Sequence, residues 1–131
     1  MKLFKTVKKI ISKEGVLHFK RFAIIECKYF NIYLHTILEA DKDLHLHDHP
    51  WSYTSIVLQG EFIEQTRGNK FTTLKPFSIV KREAEDSHKI YELKTPAVFT
   101  LFFTGPRKRE WGYWVKGKWV NNIAYRKIKN K

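Results

Sequence analysis

The chain is cut into short pieces, and that punctuation limits its folds more than any other feature. Runs rich in Ile, Val, Phe, Tyr and Thr cover Val16–Glu26, Tyr29–Leu38, His45–Leu58, Glu61–Thr66, Lys70–Leu74, Phe77–Val80, His88–Leu93 and Val98–Phe103. Turn formers separate them at Asp41-Lys42-Asp43, Gln59-Gly60, Arg67-Gly68-Asn69, Thr95-Pro96 and Gly105-Pro106. β-Branched and aromatic residues suit a pleated, half-buried surface, whereas Gly, Pro, Asn and Asp suit turns. Many short strands at regular spacing predict an all-β sandwich or barrel rather than a parallel sheet with crossover helices.

The 131 residues suit one domain with a core large enough to fold alone. A composition 43% hydrophobic and 15% aromatic belongs to a globular protein and excludes a disordered tail. No apolar run approaches the roughly 20 residues of a membrane span. Lys5, Lys8 and Lys9 interrupt the first thirteen residues, so no signal-peptide core is expected. A single cysteine, Cys27, excludes an internal disulfide framework. The expectation is a soluble, cytoplasmic protein. Leu3, Phe4, Val7, Ile10 and Ile11 recur at helical spacing with lysines between them, which predicts a short amphipathic helix over residues 1–14, ended by Gly15. Residues 16–104 would form the barrel. Residues 105–131, carrying Trp111, Tyr113, Trp114 and Trp119, would pack back onto it before a basic tail.

Three of the six histidines, His45, His47 and His49, alternate along one run. In an extended strand they share a face at roughly 6.5 Å intervals. Two neighbours can reach one ion at about 2.0–2.1 Å from each nitrogen, but the outer two, roughly 13 Å apart, cannot both do so. A pair of them therefore needs a ligand from elsewhere in the chain.

The residues around this cluster resemble the cupins. His47-x-His49, three residues, Tyr53, six residues and Gly60 reproduce the spacing of the first cupin motif, in which two histidines bind metal and a glycine closes a turn. The second motif supplies a further histidine, and His88 lies at a suitable distance. The segment from His45 to Trp51 (His-Leu-His-Asp-His-Pro-Trp), together with Arg82-x-Ala84-x-x-x-His88 and Leu101-Phe102-Phe103-Thr104-Gly105-Pro106, is similar to small bacterial and phage cupins. The resemblance implies a double-stranded β-helix, the cupin jelly-roll barrel, with His47, His49 and His88 as ligands of one divalent transition metal. Fe, Zn, Ni, Cu and Mn all accept imidazole. His45 would be a neighbour of the ligands or an alternative to one of them. Tyr53 stands where cupins often place a ligating glutamate, and Glu83, Glu85 and Glu92 replace the usual residues of the second motif.

A hairpin turn at Gln59-Gly60 would set Ser55 opposite Glu64 and Tyr53 opposite Thr66, turning Glu64 toward the histidines as a ligand, an acceptor or a general base. Asp48 has the opposite parity and should point away. Arg82, Tyr53 and Tyr91 are candidates for holding a substrate carboxylate or phosphate, as is the basic loop Arg107-Lys108-Arg109. The expected function is a small-molecule metalloenzyme, dioxygenase-like first and a sugar or metabolite isomerase or epimerase second. The other readings are a non-catalytic ligand-binding cupin and a basic module whose Trp111, Trp114 and Trp119 stack on single-stranded nucleic acid. The formal charge of +12 suits an anionic small-molecule substrate or a nucleic acid, and cupins often form homodimers.

Overall fold

The computed structural model describes residues 1–41 and 45–129. The expected turn at Asp41-Lys42-Asp43 falls, beyond Asp41, outside the described residues. Eleven strands and one helix follow in the order β1 (Lys2–Ile11), β2 (Leu17–Glu26), β3 (Asn31–Ile37), β4 (Tyr53–Gln59), β5 (Phe62–Thr66), β6 (Lys70–Leu74), β7 (Ile79–Arg82), β8 (His88–Leu93), β9 (Val98–Thr104), β10 (Gly112–Val115), β11 (Lys118–Asn121) and α1 (Asn122–Lys129). Every pairing is antiparallel. A six-stranded sheet in the order β1-β2-β3-β9-β4-β7 faces a three-stranded sheet, β6-β5-β8, and β10-β11 forms a separate hairpin. This is a double-stranded β-helix.

Period-two alternation builds its interior. In β3 the buried positions are Asn31, Tyr33, His35 and Ile37, and in the neighbouring β9 they are Val98, Thr100, Phe102 and Thr104. These side chains join two apolar clusters. Ile37, Val57, Phe62, Leu74, Val80 and Val98 fill one end, and Ala23, Tyr33, Trp51, Tyr53 and Phe102 surround the other. Both sheets contribute to the first cluster, so burying it closes the barrel.

The N-terminal segment departs from its sequence pattern. Residues 1–14 do not form the expected helix; Lys2–Ile11 is an edge strand paired with β2 from Lys2 opposite Glu26 to Ile11 opposite Leu17. Register shifts between Thr6 and Lys8, and between Ile10 and Ile11, break the alternation. Each shift moves later side chains out of strict period two, which counterfeits a helical spacing. Of the apolar residues, only Val7 packs against the core, while Leu3, Phe4, Ile10 and Ile11 stay exposed. Gly15, expected to end a helix, instead turns the β1–β2 hairpin at φ +83°. The helix of this fold is C-terminal.

The Gln59-Gly60 hairpin is also corrected. β4 pairs with β7 and β9, whereas β5 pairs with β6 and β8, so the chain passes from one sheet to the other at Gly60. Gly60 sits at φ +91°, and a Cβ there would lie 2.3 Å from the carbonyl oxygen of Ala97. The glycine therefore marks a sheet-switching corner pressed against another strand, not a two-residue hairpin. The run His45–Leu58 is strand only from Tyr53 onward. Before it the chain is irregular, with two isolated bridges at His47, one to Tyr113 and one to His88 in which the two histidines exchange backbone hydrogen bonds of 2.9 Å.

Candidate metal centre

The bridge to His88 brings the separated histidines together. The backbone exchange puts His47 beside His88 of β8, and His49 N donates to Ala84 O at 3.0 Å, docking the irregular segment onto the turn before β8. The rings of His47, His49 and His88 stand 4.9–5.2 Å apart, centroid to centroid. One nitrogen from each lies within 4.8 Å of the others. His45 does not join them. Its Nδ1 lies 3.0 Å from the hydroxyl of Tyr125 on α1.

Glu64 reaches the cluster by a different route from the one its sequence suggested. Ser55 pairs with Val80 and Phe102, and Glu64 pairs with Thr72 and Ile90. Thr66 stands opposite His88, and Glu64, two residues away on the same face, reaches the imidazole from there. His88 Nδ1–H donates to Glu64 Oε2 at 2.7 Å, and Arg82 Nη2 donates to Oε1 at 2.6 Å. Only 3% of Glu64 is exposed. Burial alone would raise its pKa, but the hydrogen bond and charge of His88, with those of Arg82, outweigh this and hold it below its ordinary value. Glu64 is thus an ionised acceptor that leaves the Nε2 of His88 turned away from it. Arg82 is committed to Glu64.

The fit to a metal rests on these donors. Burial, together with the nearby His88 and His47, pushes His49 well below its ordinary pKa, so its imidazole is neutral. Its buried Nδ1 has no hydrogen-bond partner among the described residues. Three imidazoles, one oriented by a carboxylate, are the donor set of a transition-metal site with room for further ligands. The hydroxyl of Tyr53 lies 3.5 Å from His88 Nε2, and burial, then Glu64, raises its pKa far above neutrality. Tyr53 is a neutral hydroxyl at the edge of the cluster.

The cluster opens into a cavity of about 620 Å³ inside the barrel, within the usual 300–1,000 Å³ range of small-molecule sites. His49 stacks on Trp51 at 5.4 Å, and Phe102 stacks on Tyr53 at 4.5 Å, giving the cavity aromatic walls. Tyr91 lies outside, half exposed and packed on Phe71. Arg107 lines the cavity and lies 3.8 Å from Glu110.

Two residues of this region, His35 and Arg21, escaped the sequence reading, and the role of a third, Asp48, was not anticipated. Asp48, expected to point away from the histidines, has a task of its own. It is 1% exposed and accepts from Gly112 N at 2.7 Å, Trp119 Nε1 at 2.9 Å and Arg109 Nη1 at 2.9 Å. It clamps the β10–β11 hairpin beside the site. Trp114 meanwhile lies under the guanidinium of Arg67, and Trp111 and Tyr113 pack toward His47. His35 and Arg21 also line the cavity, directly opposite each other on β3 and β2. The signal for His35 was its parity with Tyr33 and Ile37. For Arg21 it was a charge within the apolar run Phe19–Ile25.

Comparison with known proteins places the fold. No family model matches this chain, and no curated protein matches it. Solved structures do. A provisionally named mannose-6-phosphate isomerase from Ralstonia eutropha JMP134 is 14% identical over 67% of this chain and 84% of its own, with a TM-score of 0.62. An uncharacterised conserved protein with a double-stranded β-helix domain from Klebsiella pneumoniae is 17% identical over 73% and 84%, with a TM-score of 0.58. The iron(II) form of HppE is 14% identical over 71% of this chain, which spans about half (53%) of HppE, with a TM-score of 0.59. The chain has the cupin-type double-stranded β-helix fold. No helix among the described residues is long and apolar enough to cross a membrane.

Proposed function

We propose that the protein is a small-molecule metalloenzyme in which His47, His49 and His88 hold one divalent transition metal. The observation that carries this reading is the convergence of the three imidazole nitrogens within 4.8 Å at the wall of the barrel cavity. A bound ion would supply a Lewis acid and, for iron or copper, a redox centre. The protein's own groups do the rest. Glu64 fixes the tautomer and orientation of His88, and His88 together with Arg82 keeps Glu64 ionised. Tyr53 offers a neutral hydroxyl to a substrate at the cluster, and Trp51 and Phe102 keep that part of the cavity apolar.

A dioxygenase-like reaction is the first choice, supported by the three-histidine donor set and by the likeness to iron(II) HppE. An isomerase or epimerase acting on a sugar or related metabolite is the second, supported by the likeness to the Ralstonia protein. Metal analysis of the purified protein beside a His47→Ala, His49→Ala double variant tests the site. The wild type is expected to retain close to one metal per chain and the variant almost none; equal contents would refute the proposal. Oxygen consumption by the iron(II)-loaded protein with a panel of thiols and keto acids then separates the two reactions.

A further inference from the structure

Arg21 has a desolvation cost that its contacts within the fold offset only in part. Its guanidinium lies in the barrel interior, 4.7 Å from the ring of Tyr33 and 5.8 Å from that of Trp51. Burial lowers its pKa, although Tyr33 and Glu26 oppose the shift. Among the described residues only one of its five donor hydrogens is used, where Nε donates to Nε2 of His35 at 3.0 Å. Among the described residues no carboxylate forms an ion pair with it. The nearby Glu26 accepts from the Tyr33 hydroxyl and pairs with Lys2 instead.

Cation–π contact offsets part of the desolvation of such a charge, but an apolar side chain would cover Tyr33 and Trp51 without any desolvation. His35 shows what the arrangement favours. Burial, with Arg21 and Lys8 nearby, holds it well below its ordinary pKa. It is therefore neutral and accepts from Nε, which fixes the guanidinium plane and leaves both terminal amino groups without a partner among the described residues. A fork of parallel N–H donors is the shape that matches an oxyanion.

The distance to the histidine cluster is set by one indole. Arg21 lies 5.8 Å from the Trp51 ring, and that ring lies 5.4 Å from His49, so guanidinium and imidazole are at most about 11 Å apart. Both line the same cavity. Lys8 adds a second cation there; desolvation, with Arg21 and Arg126 close by, lowers its pKa, against the pull of Asp41. The acidic residues lining the cavity are Glu39, Asp41, Asp48 and Glu64. Asp48 and Glu64 are already paired with arginines, and Asp41 accepts from Ile90 N.

We infer that Arg21, aimed by His35, is the anion-recognition end of the cavity, and that the substrate is a small oxyanion, a carboxylate or a phosphate, whose far end reaches the three histidines. The second half of this statement rests on the metal-centre proposal; the first does not. Of the arginines the sequence pointed to, Arg82 is occupied by Glu64, Arg109 by Asp48, and Arg107 lies against Glu110.

The test uses the unmodified, metal-free protein, isotopically labelled, titrated separately with acetate and with inorganic phosphate at constant ionic strength. The Arg21 Nε–H and Trp51 indole N–H resonances are followed by NMR. Both are expected to shift saturably, and the anion that binds more tightly identifies the head group. In Arg21→Met the saturable shift of Trp51 should vanish, in Arg21→Lys affinity should fall at least about tenfold because the fork is lost, and in Lys94→Met, on the surface, it should be unchanged. Non-saturating shifts of Arg21 in the wild type, or saturable shifts of Trp51 that survive in Arg21→Met, would overturn the inference. Because the Arg21 resonance is read in the wild type, a poorly folding variant does not decide the outcome. Saturable binding here, together with equal metal contents in the wild type and the His47→Ala, His49→Ala variant, would sink the metal centre and leave the anion site standing. A metal-loaded protein without Arg21-dependent binding would do the reverse.

Discussion

Replacing Glu64 with glutamine separates charge from shape at the centre of the site. The amide keeps the volume of the carboxylate and one acceptor oxygen, but it cannot serve both Arg82 Nη2 and His88 Nδ1–H as an anion does. Removing one partner of a buried pair costs about 3–5 kcal/mol, and a single hydrogen bond to a charged group contributes about 1.5–3 kcal/mol. Arg82 is a quarter exposed, so water replaces part of what it loses. The lower figure applies, and Glu64→Gln should destabilise the metal-free protein by about 2 kcal/mol at neutral pH. Its pH dependence has a definite sign. The folded-state pKa of Glu64 is lowered, so its contribution is fully present above the ordinary carboxyl value of 4.5 and is lost as pH falls through the folded value. The gap between wild type and variant should therefore narrow below pH 4.5, where the protonated carboxyl comes to resemble the amide. Urea denaturation of both proteins from neutral pH to about pH 3 measures this. A variant as stable as the wild type at neutral pH, or a gap that widens on acidification, would refute the reasoning. The same substitution should weaken metal binding about 10–100-fold, because His88 loses the group that orients it.

His88→Ala should abolish metal retention while His45→Ala leaves it intact, since His45 lies against Tyr125 and not in the cluster; elemental analysis of the two variants decides. Asp48→Asn should cost about 3 kcal/mol, because Arg109 loses its partner and the anchors at Gly112 N and Trp119 weaken together; denaturation with Trp fluorescence reads both the loss and the loosening of the hairpin. Gly60→Ala should cost more than Gly68→Ala in thermal unfolding. Both glycines have positive φ, worth about 1–2 kcal/mol to an alanine, but only at Gly60 would the new methyl meet backbone, at 2.3 Å from Ala97 O.

Local chemistry was enough to read the β-rich character of the chain, most of its strands and the three histidines that converge. Strand propensity and turn formers are local properties, so runs such as Lys70–Leu74 and His88–Leu93 can be bounded from their residues alone. Resemblance to a known motif carried His47, His49 and His88 across the gap that alternation could not span. Partnership is not local. Whether Gly60 closed a hairpin or turned a corner depended on Ala97, far along the chain, and whether residues 2–11 were helix or strand depended on the free edge of β2. Glu64 reached His88 through β5–β8 pairing rather than through the hairpin expected of β4 and β5. Arg21 and His35 became a pair because register set them opposite each other, and only the closed barrel turned that pair toward the histidines. The sequence by itself determined which chemical groups were available and the period on which they lay. The tertiary structure alone decided which of them met, because long-range strand pairing and barrel closure are set by the burial of the whole core.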